Sequence, residues 1–403
     1  MDDYLSRLVD LLGFHADKRH RYIVVSHLFD DTMRMLSALE PHLEFDAIFG
    51  IPYSSNRPGV AQRWSARFGQ KVHIPPGLAE LEAGLVSELG RSLALCQRQG
   101  QKLIVQDIGG FVVPLLHTYF SDRLSLVKGV VEITKQGVWR ASEVDLAFPV
   151  LHCADSELKR LEAKRCGETI ARCLDGVGRE MGLSLAGRPV TVMGAGWIGM
   201  GVAQGLRRLD AVVELVDRCA LKVTEARLEG FTAGFAPSRL ESSQLIVGAT
   251  GRTSITRAML ERLPNNAMVA SASSRQIEIE VDHLHQHARL PVGQAVVAYH
   301  LPDHRRQDGC KRLLLVNDGF PANFIPGSGS VPDEIVETIL GELIVLMGHL
   351  AETEIVPGIH RIEPEQEAVC AELWLELRDR DLNAPSFHPV HVSNEDVDFP
   401  RSA

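Results

Sequence analysis

The sequence lacks any long hydrophobic run. In 403 residues, no stretch approaches the ~20 consecutive apolar residues that a membrane-spanning helix needs. The first residues, M-D-D-Y, carry acids where a secretory signal would carry positive charge. We therefore expect a soluble, cytoplasmic protein with no membrane partner.

The chain also lacks an excess of positive charge. Lys and Arg total 42 against 52 Asp and Glu, which gives a formal net charge of −10. A broad basic surface is typical of nucleic-acid binding, so this balance argues against a nucleic-acid partner. The 45% hydrophobic and 23% charged residues are ordinary for a globular protein, and the length suggests two or three domains.

Metal-binding and disulfide motifs are absent as well. The seven cysteines are odd in number and form no C-x-x-C, and the sixteen histidines form no H-E-x-x-H. We therefore expect reduced thiols and no metal site.

Short apolar runs alternate with helix-length stretches along most of the chain, a pattern that predicts an α/β fold with parallel sheets. The predicted strands cover residues 22–25, 45–49, 103–105 and 126–131, then 189–193, 212–216, 245–247, 268–270 and 313–316. A long helix over 155–181 separates the two sets, and an apolar helix over 334–350 follows the second. We predict two Rossmann-like α/β domains, the second inserted into the first. The predicted limits are 1–168 and 328–385 for the outer domain, 169–327 for the inserted domain, and 386–403 for a flexible tail.

A glycine motif opens the second set of strands. The residues G-A-G-W-I-G at 194–199 directly follow a predicted strand and begin a predicted helix. Gly194 permits the tight turn, Gly196 lets the backbone approach a pyrophosphate, and Gly199 allows close packing of helix on strand. The free N–H groups of the helix N-terminus then suit phosphates. This context predicts an NAD site that includes Trp197 and Ile198. We therefore predict that the inserted domain is an NAD-binding domain and that the outer domain is a substrate-binding domain.

An acid at the end of the next strand supports the choice of NAD. Asp217 can accept both ribose hydroxyls and repels a 2′-phosphate, so it favours NAD over NADP. Arg218 beside it is of the type that serves a 2′-phosphate, but Asp217 decides for NAD. Further along, Thr250 and Gly251 follow a strand where the nicotinamide half of a dinucleotide passes. A plain glycine-rich turn explains these two residues equally well.

Six segments in this order resemble the adenosylhomocysteinase family, the NAD-dependent S-adenosylhomocysteine hydrolases. V-S-H-L-F-D-D-T at 25–32 is similar to C-L-H-M-T-V-E-T, and Q-D-I-G-G at 106–110 is similar to D-D-G-G. G-V-V-E-I-T-K-Q-G-V at 129–138 is similar to G-I-S-E-E-T-T-T-G-V, and T-G at 250–251 to part of T-T-G-C. E-I-E-V at 278–281 is similar to E-I-D-V, and residues 314–323 are similar to I-L-L-A-E-G-R-L-V-N-L.

The resemblance implies a reaction in which tightly bound NAD transiently oxidises a ribose hydroxyl. The neighbouring C–H becomes acidic, homocysteine leaves by elimination, water adds, and the ketone is reduced again. It also implies that His27 lies near the leaving group, and that Thr134, Asp217 and Asn323 contact the cofactor. The family assembles into oligomers through its cofactor domains, so the resemblance implies a homo-oligomer. The apolar helix over 334–350 would suit an interface, and a buried core helix explains it equally well.

Several positions depart from the family pattern. Ile108 and Ile133 replace the second acid of D-D-G-G and of the E-E pair, which leaves Asp107 and Glu132. The family's K-x-x-x-D pair has no counterpart, because neither Lys159 nor Lys164 has Asp four residues on. Two family histidines are replaced by serines, and the C-terminal K-P-x-x-Y-R-Y segment is missing; the serines are Ser274 and Ser330. These losses argue against faithful hydrolysis of S-adenosylhomocysteine, since such groups act as a unit.

We therefore predict an NAD-dependent enzyme acting on a secondary alcohol of a nucleoside or nucleoside thioether. The catalytic candidates are His27, Asp107, Glu132, Lys135 and Lys159. The cofactor-binding candidates are Gly194, Gly196, Trp197, Ile198, Gly199, Asp217, Thr134, Thr250, Gly251 and Asn323. Two alternatives remain open, namely an ordinary dehydrogenase of another small polar substrate and a catalytically silent protein that binds NAD or nucleosides.

Overall fold

The computed structural model describes residues 4–14, 18–325 and 331–381. Within these ranges the strands are β1 (His20–Ser26), β2 (Phe45–Gly50), β3 (Val72–His73), β4 (Lys102–Asp107), β5 (Val127–Glu132), β6 (Pro149–His152), β7 (Pro189–Met193), β8 (Val212–Val216), β9 (Thr232–Gly234), β10 (Leu245–Gly248), β11 (Ala267–Ser271), β12 (Ala288–Pro291), β13 (Val296–Pro302), β14 (Cys310–Val316) and β15 (Gly358–Arg361).

The α-helices lie between these strands and cover the sheets. They are α1 (Tyr4–Leu11), α2 (Asp30–Leu39), α3 (Pro52–Ser55), α4 (Val60–Phe68), α5 (Leu78–Gln99), α6 (Val112–Tyr119), α7 (Lys135–Ala141), α8 (Glu157–Glu180), α9 (Trp197–Arg207), α10 (Ala220–Leu228), α11 (Arg257–Arg262), α12 (Val281–His285), α13 (Asp333–Glu352) and α14 (Pro364–Asp381).

The first sheet has seven strands in the order β15-β6-β5-β4-β1-β2-β3. All its pairings are parallel. Every residue of β1, β2, β5 and β6 is buried, as expected for strands with helices on both faces. Strands β1, β2 and β5 correspond to the predicted apolar runs 22–25, 45–49 and 126–131, whereas β6 was not predicted.

The second sheet has eight strands in the order β12-β13-β14-β11-β10-β7-β8-β9. It is parallel from β14 to β9 and ends in the antiparallel strands β13 and β12. The sequence did not indicate these two strands, because β12 is wholly exposed and β13 mixes buried and exposed residues. The short strand β15 and helix α14 were missed as well.

The chain enters the second sheet after β6 and returns to the first sheet with β15, which pairs with β6. The predicted insertion of one α/β unit into another is thus confirmed. Ser156 caps α8 by accepting a hydrogen bond from the Lys159 N–H. Helix α8 packs closely on α9. The closeness is shown at Gly201, where a Cβ would lie only 2.2 Å from the Lys164 carbonyl oxygen.

Helix α13 carries most of its apolar side chains into the first core, where they pack with α1, α2 and the first sheet. Its apolar surface is therefore explained by this chain's own core and does not indicate an interface. Among the described residues, no helix is long and apolar enough to cross a bilayer. The predicted tail, 386–403, lies outside the described residues, as does Ser330.

Candidate functional site

The glycine motif forms the turn between β7 and α9, as its spacing predicts. Gly194 has a φ of 105°, and a Cβ there would lie 2.5 Å from the Ala249 carbonyl oxygen. A Cβ on Gly199 would lie 1.9 Å from the Gly194 carbonyl oxygen. Both positions therefore require glycine for the turn itself.

Gly196 is different, because the fold leaves open space beside it. The nearest heavy atom to a Cβ on Gly196 is the Lys222 Nζ, at 3.8 Å. The first residue of α9, Trp197, follows immediately, so free helical N–H groups point toward this space. An open cradle over a helix N-terminus fits the pyrophosphate of a dinucleotide.

Asp217 lies just after β8 and holds the glycine turn. Its carboxylate accepts hydrogen bonds from the N–H of Ala195 and of Cys219, each at 2.8 Å. Lys222 Nζ lies 3.8 Å from the same carboxylate. A carboxylate has about four acceptor positions, so Asp217 keeps capacity for ribose hydroxyls. The residues present therefore fit NAD.

A buried carboxylate organises the turn after β10. Glu278 is fully buried and accepts hydrogen bonds from the backbone N–H groups of Thr250 and Gly251, at 2.6 and 2.5 Å. Its oxygens also accept from three hydroxyls, those of Thr250, Ser254 and Ser273. The Thr250-Gly251 turn is consequently fixed at the carboxyl edge of the second sheet.

The carboxyl edge of the first sheet gathers the predicted catalytic side chains. His27 follows β1, Asp107 ends β4 and Glu132 ends β5, and these three strands are neighbours. His152 ends the next strand, β6, and is paired with Glu132 in register. Parallel strands thus bring these four side chains to one edge, the usual place for ligands in open α/β sheets.

Glu132 is almost completely engaged by its own surroundings. Its oxygens accept hydrogen bonds at 2.7–3.1 Å from four backbone N–H groups and one hydroxyl, those of Gly109, Gly110, Ile133 and Thr134. Burial and the neighbouring Asp107 raise the pKa of Glu132 to about 8, although these hydrogen bonds act in the opposite direction. In this geometry Glu132 fixes the Gly109-Gly110 turn and has little free acceptor capacity.

Asp107 is fully buried beside it. Its two oxygens accept hydrogen bonds from the N–H groups of Ile108 (2.9 Å) and Val112 (2.8 Å). Burial raises the pKa of Asp107 to about 6 against the lowering by these hydrogen bonds and by Arg275. Asp107 thus caps the start of α6.

His27 lies in a half-buried aromatic cluster. Its ring centroid is 4.7 Å from that of Phe324 and 5.8 Å from that of Tyr53. Nδ1 lies 2.6 Å from the Ser54 hydroxyl, which in turn lies 3.1 Å from the Ile51 carbonyl oxygen. Burial, with Lys159 and Arg57 nearby, lowers the pKa of His27 to about 3, so the imidazole is neutral.

The two candidate lysines both have carboxylate partners. Lys159 Nζ lies 2.6 Å from Glu162, in a pair that is mostly buried. Burial lowers the pKa of Lys159, but Glu162 outweighs it and the net shift is upward. Lys135 Nζ lies 2.6 Å from Asp155 and 4.3 Å from the centroid of the Trp197 indole.

The carboxyl edges of the two sheets face each other and touch. Besides the contact of Lys135 with Trp197, Gln136 donates a hydrogen bond to the Gly251 carbonyl oxygen. The His27 ring also packs against Phe324, at an interplanar angle of 34°, and Phe324 lies in the segment after β14. The two edges therefore approach each other closely, and we call the region between them the crevice.

Two predicted cofactor contacts have structural partners as well. The Thr134 hydroxyl donates to Glu132 and accepts from the Gly137 N–H, which caps α7. Asn323 is buried, with its side-chain nitrogen 3.8 Å from the Cys166 sulfur.

Sequence reasoning missed other residues that line or support the crevice. They are Ser54, His152, Glu162 and Arg275. The sequence also did not indicate that the Glu278 carboxylate holds the Thr250-Gly251 turn. Glu162 could have been found from its i, i+3 spacing to Lys159, since such pairs face each other on a helix. His152 ends β6, a strand that was not predicted from the sequence. Ser54 lies in the four-residue helix α3 and Arg275 in a loop, and both segments are too short or too irregular to leave a periodic signal.

The fold, with the glycine motif at the crevice, is that of an NAD-binding α/β enzyme. The family model described as S-adenosyl-L-homocysteine hydrolase, NAD binding domain, matches residues 166–323. S-inosyl-L-homocysteine hydrolase of Methanopyrus kandleri is 30% identical over 346 residues, which is 83% of this chain and 78% of that protein. The chain therefore belongs to the S-adenosyl-L-homocysteine hydrolase family.

Other similarities are more partial. Adenosylhomocysteinase of Pyrococcus abyssi is 34% identical over 239 residues, 58% of this chain and 55% of that protein. Among solved structures, phosphoglycerate oxidoreductase from Vibrio cholerae matches with a TM-score of 0.39 and 11% identity, over 66% of this chain and 80% of that one.

Proposed function

We propose that this protein is an NAD-dependent hydrolase of a nucleoside thioether that acts through transient oxidation of a secondary hydroxyl. The observation that carries the proposal is the contact between the Thr250-Gly251 turn and the first sheet's edge, where Gln136 reaches the Gly251 carbonyl oxygen. When bound, NAD would supply a hydride acceptor that later returns the hydride to the same carbon. The glycine motif, Asp217, Thr134 and Asn323 would hold it.

His27 is the group we propose to handle protons near the leaving sulfur. With the Ser54 hydroxyl donating to the Ile51 carbonyl oxygen, that hydroxyl accepts from Nδ1–H of His27. Nε2 then carries the lone pair, and a neutral imidazole in this tautomer can accept a proton. Ser54 is a positioning residue in this scheme.

Lys159 is proposed to act on the hydroxyl that is oxidised. Its pairing with Glu162 replaces the family's K-x-x-x-D arrangement by a K-x-x-E arrangement on the same helix. The positive charge of Lys159 would favour deprotonation of a nearby hydroxyl. Lys135, held between Asp155 and Trp197, would border the cofactor side of the crevice.

Asp107 and Glu132 are proposed as positioning residues that hold the crevice's glycine turn. Their oxygens are committed to backbone N–H groups, which favours a structural support over direct proton transfer. In this proposal neither carboxylate transfers a proton, although the family resemblance places both among the catalytic candidates.

The test uses protein purified without added cofactor, mixed separately with S-adenosylhomocysteine, S-inosylhomocysteine and adenosine. We expect reduced-nicotinamide absorbance limited to the enzyme concentration, and release of a free thiol from at least one of the thioethers. Asp217→Ala with NAD removed is the control, and it should give neither signal. Absence of both signals in the wild-type protein supplied with NAD would refute the proposal.

A catalytically silent nucleoside-binding protein is the second candidate. It is favoured by the apolar, nearly buried side chains of Ile108 and Ile133, each 8% exposed, where the family carries acids. Such a protein would bind these ligands without absorbance change and without thiol release.

A further inference from the structure

Arg275 places a buried positive charge at the crevice. It lies between β11 and Glu278, is 7% exposed, and has a φ of 69°, in the left-handed region that non-glycine residues avoid. A backbone strained in this way persists when the surrounding structure holds it, and such positions cluster at functional sites.

The guanidinium of Arg275 crosses from the second sheet to the first. Its Nη2 donates to the Gly109 carbonyl oxygen at 3.1 Å, and its Cζ lies 3.8 Å from the centroid of the Phe111 ring. The Nε–H is buried and has no hydrogen-bond partner among the residues that the structure describes. Asp107 is close enough to act on its charge, but the Asp107 oxygens are taken by backbone N–H groups.

A second arginine lies at the same glycine turn. Arg140, on α7, donates from Nη1 to the Gly110 carbonyl oxygen at 3.2 Å. Burial, together with the smaller repulsion by Arg140, lowers the pKa of Arg275 to about 10. Within residues 4–14, 18–325 and 331–381, neither arginine has a carboxylate oxygen within ion-pair distance.

A buried guanidinium beside a half-buried one, with no carboxylate paired to either, is unfavourable, and an anion would relieve this. Arginine is also the side chain best shaped to bind a carboxylate or phosphate through paired N–H groups. We propose that Arg275 and Arg140 bind an anionic group of the substrate, a carboxylate or a phosphate, at the Gly109-Gly110 turn. The inference rests on the proposed nucleoside-thioether function and specifies its substrate as an anion.

The test compares ligands with and without the anion on the NAD-loaded protein. S-adenosylhomocysteine carries an amino-acid carboxylate, 5′-methylthioadenosine is a thioether without it, and adenosine 5′-monophosphate carries a phosphate. Arg275→Gln should weaken binding of one of the two anionic ligands by about tenfold or more, and should change 5′-methylthioadenosine affinity by less than about threefold. The ligand that is affected identifies carboxylate or phosphate as the group bound.

Arg207→Gln is the matched control. Arg207 also stacks on a phenylalanine, Phe231 at 4.0 Å, and donates to one backbone carbonyl oxygen, that of Glu229 at 2.8 Å. It lies at the far end of α9 from the glycine motif, and Arg207→Gln should leave all three affinities unchanged.

Equal losses for all three ligands in Arg275→Gln would assign Arg275 a purely structural role and overturn the inference, as would no loss. If Arg275→Gln does not fold, Arg140→Gln is measured instead, with the same expectations, because Arg140 is only half-buried. Wild-type protein that binds none of the nucleosides refutes the nucleoside assignment. Inorganic phosphate then tests the anion site separately, and failure of the wild type to bind it overturns the inference.

Discussion

The two facing sheet edges use the same structural device for different purposes. On the cofactor side, buried Glu278 accepts the N–H groups of Thr250 and Gly251. On the opposite side, which is the proposed substrate edge, buried Glu132 accepts those of Gly109 and Gly110. Both turns contact the opposite sheet, so each carboxylate shapes one wall of the crevice.

The edges differ in how closely they keep the family pattern. The cofactor edge keeps the glycine motif and an acid after β8, whereas the substrate edge has Ile108 and Ile133 in place of acids. Cofactor binding here depends on backbone atoms and on the absence of Cβ atoms, so few substitutions are tolerated. Catalytic side chains can be replaced without loss of the fold, because the turn needs only one carboxylate for each pair of N–H groups.

The largest effect is expected for His27→Gln, on the substrate edge. Loss of a group that transfers protons should lower turnover by about 10²–10⁴-fold. NAD content, measured after denaturation of the purified protein, should stay unchanged, because His27 touches none of the cofactor turn. A variant with wild-type turnover would remove His27 from the mechanism, and a variant that changes only ligand affinity would favour the silent binding protein.

The second largest effect is expected for Gly196→Ala at the cofactor edge, where the variant should lose NAD affinity and keep its stability. Gly196→Ala places its methyl group in open space, 3.8 Å from the nearest heavy atom, so the midpoint of thermal unfolding should move by about 2 °C or less. NAD affinity should fall by about tenfold or more, since the methyl group occupies the approach of the pyrophosphate. Isothermal titration of NAD into the two proteins measures this difference.

Gly199→Ala provides the contrasting variant. Its methyl group would lie 1.9 Å from the Gly194 carbonyl oxygen, so it should lower stability as well as affinity. If Gly196→Ala binds NAD normally, the pyrophosphate does not pass over this turn and the cofactor edge has been misassigned.

The difference between the edges also explains what the sequence could predict. Strand β7, the Gly194 turn and Asp217 were predicted at their observed places, because sterics leave few residue choices there. The crossing contact of Arg275 was not, since it joins residues 166 positions apart and depends on the relative placement of two sheets. The hairpin of β12 and β13 was missed because an exposed edge strand needs no apolar pattern.

The catalytic assignments lie between these extremes. The sequence predicted that His27, Asp107 and Glu132 follow strands, and strand order brings them to one edge. Their chemical states could not be predicted, because they depend on burial and on N–H groups from turns. Glu132 is the clearest example, since its five donors are visible only in the folded chain.

A matched pair of variants, Glu132→Gln and Glu278→Gln, sharpens the comparison directly. Each replaces an acceptor of several donors by an amide, and each should lower the free energy of unfolding by about 1–3 kcal/mol. Glu278→Gln should additionally weaken NAD binding, whereas Glu132→Gln should mainly lower turnover, with a smaller loss of NAD affinity because Glu132 reaches the cofactor site only through Thr134. Urea unfolding and NAD titration on both proteins test this, and the same functional loss in both would contradict separate roles for the two edges.

The smallest effect concerns Glu342, a fully buried carboxylate on α13 behind the substrate edge. Its Oε2 accepts a hydrogen bond from the Ser156 hydroxyl at 2.9 Å, and its Oε1 has no partner among the described residues. Burial raises the pKa of Glu342 to about 8. The folded state therefore holds this proton while the unfolded chain has lost it, so the contribution of Glu342 to stability falls as the pH rises from about 4.5 to about 8.

Glu342→Gln removes this titration. The variant should match the wild type within about 1 kcal/mol at pH 5 and should be more stable by about 1–2 kcal/mol at pH 9, where the wild-type carboxylate is buried and charged. Glu157→Gln is the control, because Glu157 is 66% exposed and pairs with Arg160 on the surface. Urea unfolding of the three proteins across this pH range measures the effect, and an equal pH dependence in Glu342→Gln and the wild type would show that Glu342 is charged throughout.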